Sequence, residues 1–345
     1  MYPTVAGHMK EGLAQDIFSL SHRDAFIPVF QETVATIRAL LSVPEAYHIV
    51  FVSSGTEAME RIIENCVEQE SLHLVNGAFS ERFFCIAQEL KKSPRRYAVP
   101  WGQGFDFSQI DIPRATELLC VTQNETSTGV ALDMEPVYML KKQYPDLFIA
   151  LDIVSSAPYV AIDYHSIDCA FFSVHKGFGL PAGLGVIILS PRALEKAIYL
   201  QRKNTTIGSY HTFPALASFA EKNQTPETPN TLAIYLLGKV IADMQQAGIT
   251  KLREEQEAKA QLLYEFFDMH PVLHPFVNKG DRSQTVIVVD TQGKTKEILQ
   301  RLQQQGFIVG SGYGKYKDNQ IRIAQFPAHS MEDVEKLLEA FAYGK

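Results

Sequence analysis

The sequence lacks the features of a membrane, nucleic-acid or disulfide-bonded protein. No stretch reaches the roughly 18 uninterrupted apolar residues that span a bilayer, and Met1 to Gln15 do not combine a cationic start with an apolar core. No run of lysine and arginine appears and the net charge is −7, so no extended face would neutralise phosphates, which argues against a sequence-independent nucleic-acid binder. Cys66, Cys85, Cys120 and Cys169 stand far apart among apolar neighbours, with no C-x-x-C pair, and read as reduced core thiols. There is no H-E-x-x-H. Asp168, Cys169 and His175 are close in sequence but lie along a buried-strand pattern, so no metal site is expected. The expectation is a cytoplasmic protein that engages neither membrane nor nucleic acid.

What is present is an alternation. At 345 residues the chain is long for one core, and two domains are expected. Apolar runs at 48–53, 72–75, 118–122, 148–152, 170–173 and 185–189 read as strands, with amphipathic helices at 57–68, 80–91, 135–143 and 193–201 between or after them. Strands that are apolar on both faces and separated by helices imply a mostly parallel α/β sheet. A long helix, 231–246, ends near Ala247-Gly248, a helix stop. Beyond it, helices at 251–269, 294–305 and 331–341 interleave with strands at 285–290 and 320–324, which suggests a small α+β domain. The expected division is 16–246 for the large domain and 247–345, with 1–15, for the small one.

Several strand ends carry chemistry. Lys176 sits in the loop Ser173-Val174-His175-Lys176-Gly177 between two core strands, where burial lowers an amine's pKa and makes it nucleophilic near neutral pH; a lysine snorkelling out of the loop is the plainer alternative. Ser54-Gly55-Thr56, between a strand and a helix, offers backbone N–H groups and hydroxyls to a phosphate, or simply caps the helix. Asp152 ends a strand at the carboxyl edge of the sheet, where α/β proteins place ligands, and there it serves as cap, ion-pair partner or counter-charge to a protonated pyridine. Asn124-Glu125-Thr126 is a turn with amide and hydroxyl donors, and Phe79 is placed either in the core or against a flat ring. Gly177 to Ala182 matches G-x-G-x-x-A, but a strand with Pro181 at its entry follows it, not the helix that dinucleotide binding needs.

In order, these motifs resemble the class V, fold-type I pyridoxal-phosphate aminotransferases. The resemblance runs from about Ser19 to the C-terminal helix: Ser54-Gly55-Thr56, Phe79, Asn124-Glu125-Thr126, Asp152 with Ser155 and Ser156, Ser173 to Lys176, Thr225-Pro226-Glu227-Thr228-Pro229, and Arg322. It implies pyridoxal 5'-phosphate on Lys176 as a Schiff base, with Lys176 also moving the substrate proton. It further implies that Asp152 pairs with the ring nitrogen and Phe79 stacks on the ring. Ser54, Gly55, Thr56, Thr126, Ser155 and His175 would hold the phosphate or ring oxygen. Thr228 would reach the phosphate of a neighbouring subunit in a homodimer with shared sites. Arg322 would fork onto the α-carboxylate of small amino-acid and 2-oxo-acid substrates.

Within the family, Ser21-His22-Arg23 resembles the S-H-R segment with which phosphoserine aminotransferases bind the distal group of phosphoserine or glutamate. That implies amino transfer between O-phospho-L-serine and 2-oxoglutarate, in serine biosynthesis, by ping-pong kinetics. Two features depart from that subgroup: Glu57, which would repel a phosphate, stands where an arginine is usual, and Phe79 stands where tryptophan is frequent. The Ser-Gly-Thr turn is also similar to alanine:glyoxylate and serine:pyruvate enzymes. Ser173-Val174-His175-Lys176 further resembles cysteine desulfurases, but those need a late nucleophilic cysteine and none follows Cys169. The usual Gly-Pro segment before Tyr2-Pro3 is absent, which leaves one wall of the substrate site undefined.

Overall fold

The computed structural model describes residues 1–15 and 24–342. The chain begins with α1 (Val5–Leu13) and α2 (Phe26–Leu41), then alternates β1 (His48–Val52), α3 (Gly55–Cys66), β2 (Glu70–Val75), α4 (Ala78–Glu89), β3 (Ser93–Ala98) and β4 (Leu118–Thr122). A short hairpin of β5 (Asn124–Glu125) and β6 (Val130–Ala131) leads to α5 (Glu135–Gln143), β7 (Phe148–Asp152), β8 (Cys169–Ser173) and β9 (Gly185–Leu189). Helices α6 (Pro191–Arg202), α7 (Phe213–Ala220) and α8 (Thr231–Ala247) follow. The rest is α9 (Ile249–Met269), β10 (His274–Pro275), β11 (Val286–Asp290), α10 (Thr295–Gln304), β12 (Gly310–Ser311), β13 (Gln320–Ala324) and α11 (Met331–Ala342).

Seven strands form one sheet in the order β1-β9-β8-β7-β4-β2-β3. β9 alone runs antiparallel to its neighbours, so the sheet is mostly parallel, as expected. Side chains alternate across it: Ile49, Phe51, Ala170 and Phe172 enter the core shared with α2 and α8, whereas Val50, Val52, Cys169 and Phe171 enter the core beneath α3, α4, α6 and α7. Two apolar layers cover the sheet, giving an α/β/α sandwich. The register pairs Thr122 with Asp152 and Asp152 with Phe171, so the ends of β4, β7 and β8 lie side by side. This edge carries the site.

The second sheet, β10-β11-β13-β12, is antiparallel throughout. One face packs Ile287, Val289, Ile321 and Ile323 against α9, α10 and α11. The other turns Val286 and Val288 toward the β5–β6 hairpin. Gly129 there, at φ +77°, is so close that a Cβ would lie 2.9 Å from the Val288 side chain. The helix stop falls at Gly248, at φ +89°, between α8 and α9.

Residues 1–15, grouped by the sequence with the C-terminal part, make contacts with the large sheet's layer. Thr4 and His8 bond Asp243 of α8 (2.5 and 2.7 Å), and Val5 joins the core of the seven-stranded sheet.

Candidate active site

The turn after β1 both caps a helix and opens to a cavity. Ser54 is extended, and its Oγ accepts the Glu57 N–H at 3.1 Å, one of the donors left free in the first turn of α3. The Gly55 N–H donates to Ser173 Oγ at 2.8 Å, and a Cβ at Gly55 would lie 2.9 Å from that oxygen and 3.1 Å from Val154. Only glycine lets β8 approach the helix end so closely. Ser54, Gly55 and Thr56 line a cavity of about 170 Å³ together with Phe79, Thr126, Asp152, Ser155, His175 and Lys176. The positive end of the helix dipole points into it.

Lys176 lies in a loop held by close backbone approach, because a Cβ at Gly177 would sit 1.9 Å from the Ala157 carbonyl oxygen. Its Nζ donates to Thr126 Oγ1 (2.8 Å) and Ser155 Oγ (2.7 Å) and lies 5.0 Å from the centre of the Phe79 ring. Its hydrogen-bond partners are neutral. Burial pushes the amine down to about 8, with Asp152 and Glu125 acting in the opposite direction. Asp152, only 4% exposed, accepts the Val154 N–H at 2.8 Å and forms no ion pair among the described residues. Burial raises its carboxyl to about 7. A carboxylate in that position is costly until a cation joins it.

Phe79 owes its position to a residue whose role the sequence does not show. Glu125, fully buried, accepts the N–H groups of Phe79 (3.1 Å) and Ser80 (2.8 Å) at the start of α4, together with the hydroxyls of Ser80 and Ser127 (2.9 and 2.7 Å). A Cβ at Gly77 would collide with it at 2.4 Å. Glu125 therefore clamps the helix that presents the ring, whereas the sequence alone suggests its turn as a source of donors. Its partner is 46 residues away, so no local pattern signals the contact. Met59, Asn124, Val154 and Ser173 also line the cavity. The buried Asn124 Oδ1 has no partner among the described residues.

Arg322 on β13 does not line that cavity but an adjacent one of about 400 Å³ with Gly310 and Gln325, and it meets the cleft through Thr126. Its Nε donates to the Ser311 carbonyl (2.8 Å), its Nη1 to the Thr126 carbonyl (3.5 Å), and its guanidinium lies 5.2 Å from the Tyr313 ring, which in turn leans on Phe79 at 5.6 Å. No carboxylate pairs with it among the described residues. Thr228 is not in the cleft; it lines a separate cavity of about 460 Å³ with Ser53, Glu57 and His211. His22 and Arg23 lie outside the described residues. The Tyr2 N–H donates to the Gly179 carbonyl at 2.9 Å, which lays the N-terminal segment on the lysine loop.

The expected repulsion by Glu57 needs correction. Its Oε2 accepts the Ser53 N–H and hydroxyl (2.7 and 2.6 Å), and its other oxygen meets His211 Nδ1. Burial acts against this carboxylate, but those bonds outweigh it and bring it down to about 2. The charge is paired.

A buried amine, an aromatic face, a lone carboxylate at a sheet edge, an orphaned amide oxygen and a helix N-terminus together fit a phosphorylated pyridine aldehyde. Comparison with known proteins agrees. A family model described as Aminotransferase class-V matches residues 14–337. A phosphoserine aminotransferase of Rhodococcus opacus is 27% identical over 337 residues, covering 95% of this chain and 88% of its own. A solved phosphoserine aminotransferase of Cytophaga hutchinsonii is 43% identical, with TM-score 0.97, covering 100% of this chain and 96% of its own. An alanine–glyoxylate aminotransferase of Nostoc shares the fold at TM-score 0.84 and 24% identity, covering 99% of this chain and 92% of its own.

Proposed function

This chain belongs to the class V aminotransferase family and is a pyridoxal-phosphate-dependent transaminase; from that premise we propose that it moves the amino group between O-phospho-L-serine and 2-oxoglutarate. The observation that carries the reaction class is the cavity in which Lys176, Asp152 and Phe79 converge beside the turn at Ser54. Likeness to two proteins named phosphoserine aminotransferase, one of them 43% identical over the whole chain, supports the substrate. With Glu57 paired to His211, one objection to that choice is removed.

Bound in the cavity, the cofactor supplies an electron sink for the electrons of the substrate Cα–H bond. Lys176 is its covalent attachment point, and once released, Nζ takes the Cα proton and returns it; an amine with a pKa of about 8 can do both near neutrality. Asp152 provides the counter-charge to the ring nitrogen, Phe79 covers one ring face, and Thr56 with the α3 N-terminus binds the phosphate. Thr126 and Ser155, which bond Nζ here, offer the same hydroxyls to the ring oxygen. Arg322 fixes the substrate α-carboxylate: Ser311 and Thr126 hold its Nε and one Nη1 N–H, and the Nη2 side of the guanidinium remains to donate.

His22 and Arg23 are proposed to receive the distal phosphate or carboxylate, and Thr228 to complete the site of a second copy in a homodimer. The setting proposed is cytoplasmic serine biosynthesis. Among the described residues no helix is long and apolar enough to cross a membrane.

A half-reaction panel tests the substrate. Purified holoenzyme is mixed separately with phosphoserine, glutamate, alanine, serine and cysteine while conversion of the aldehyde form to the amine form is followed. Fastest conversion by phosphoserine and glutamate is expected. Preference for alanine or serine would move the assignment to the alanine:glyoxylate or serine:pyruvate type, and sulfide release from cysteine would contradict transamination.

A further inference from the structure

Glu57, His211 and Glu227 come from three separate segments and meet beside the phosphate turn. His211, 5% exposed, places Nδ1 on Glu57 of α3 and Nε2 on Glu227 at 2.8 Å, with the Tyr210 ring 4.0 Å from its own. Carboxylates only accept, so both ring nitrogens must donate, and a neutral imidazole has a single N–H. The ring is therefore an imidazolium. Burial works against that charge, but the hydrogen bonds the ring donates to Glu227 and Glu57 outweigh it and raise the ring to about 9. The folded-state value lies above the ordinary histidine value, so the bridge stabilises fully below pH 6.5 and loses that contribution as the pH rises through about 9.

Glu57 is the residue after Thr56, whose backbone opens to the cofactor cavity, whereas Glu57 itself lines the adjoining cavity with His211 and Thr228. The same cation thus reaches the α3 start and the loop carrying Thr228; that loop is further tied by the Thr225 hydroxyl donating to the Glu227 carbonyl at 2.7 Å.

We propose that His211 is a positioning residue for the cofactor phosphate: as a cation shared between Glu57 and Glu227 it holds the Glu57 carboxylate turned away from the phosphate turn, offsets part of its charge, and fastens the 225–229 loop to the same helix end. This rests on the reading of Ser54 to Thr56 as the seat of a pyridoxal phosphate. His211 does not touch the cofactor. It acts through Glu57, whose charge would otherwise stand unpaired at the helix end that receives an anion.

The test uses the cofactor-free full-length protein and two probes, pyridoxal phosphate and pyridoxal, which differ only in the phosphate. In His211→Ala the dissociation constant for pyridoxal phosphate is expected to rise roughly five- to twentyfold, the effect of one unpaired unit charge in a partly solvated site. That for pyridoxal should stay unchanged. Adding Glu57→Gln to His211→Ala removes the stranded charge next to the turn, leaving that of Glu227, and should restore part of the lost affinity, which a merely structural role would not predict. His211→Gln, which keeps a donor without the charge, guards against loss of folding and should shift affinity in the same direction. Unaltered pyridoxal phosphate binding in both single variants would overturn the proposal, as would equal loss of both probes or failure of Glu57→Gln to rescue. If the unmodified protein itself bound pyridoxal phosphate no more tightly than pyridoxal, the phosphate-turn reading would fail instead.

Discussion

Lys176 and His211 approach the start of α3 from different cavities, one lined by Ser54, Gly55 and Thr56 and the other by Ser53 and Glu57, and their protons are held in opposite ways. The lysine hydrogen-bonds two hydroxyls, and burial lowers it to about 8. The histidine bonds two carboxylates, which overcome burial and raise it to about 9. The partners, not depth alone, decide the outcome. Neutral partners leave an amine that exchanges its proton near physiological pH, as a covalent and proton-carrying group must. Anionic partners keep the ring charged until the pH approaches about 9, which suits it to holding a turn.

Removing charges from the lysine cleft sharpens that contrast. The largest effect is expected for Asp152→Asn: removing one partner of a buried charge pair costs about 2 to 5 kcal/mol, so kcat should fall by at least about thirtyfold. Asp152 also acts to hold the Lys176 proton, so the variant's amine should titrate lower still, which a pH series of pyridoxal phosphate capture by the cofactor-free protein would register. An Asp152→Asn enzyme with unchanged kcat and the same pH profile would break the comparison. A smaller loss is expected for Arg322→Ala, whose guanidinium is only partly buried: kcat/KM should drop at least about tenfold in both half-reactions, as for loss of an anchored carboxylate contact. The absorbance of the bound cofactor should not change. An unaffected kcat/KM would mean that another group holds the substrate carboxylate.

How much was legible depended on whether the cause was local. β4, β7, β9 and β13 run between the residues that apolar patterning picks out, because strands buried on both faces read as continuous apolar runs. β3 escapes that pattern. It is Ser-Pro-Arg-Arg-Tyr-Ala at the sheet edge, where proline and exposed arginines are tolerated and no apolar alternation is needed. The cleft residues can be picked out because each follows a strand end on one sheet edge, and topology then gathers them. The Glu125 clamp and the His211 bridge follow from contacts across 46 and 154 residues, which no local pattern encodes. Glu57 shows the consequence: on its own it reads as a charge hostile to phosphate, and only folding supplies the imidazolium that pairs with it.

The chemistry of the cleft depends most on Lys176 being the amine that carries the cofactor. Holoenzyme reduced with borohydride, digested and sequenced by mass spectrometry would locate the pyridoxyl group. The predicted result is a single modified site on the peptide containing His175-Lys176-Gly177, lost in Lys176→Ala; modification of a different lysine, or full cofactor attachment in Lys176→Ala, would contradict it.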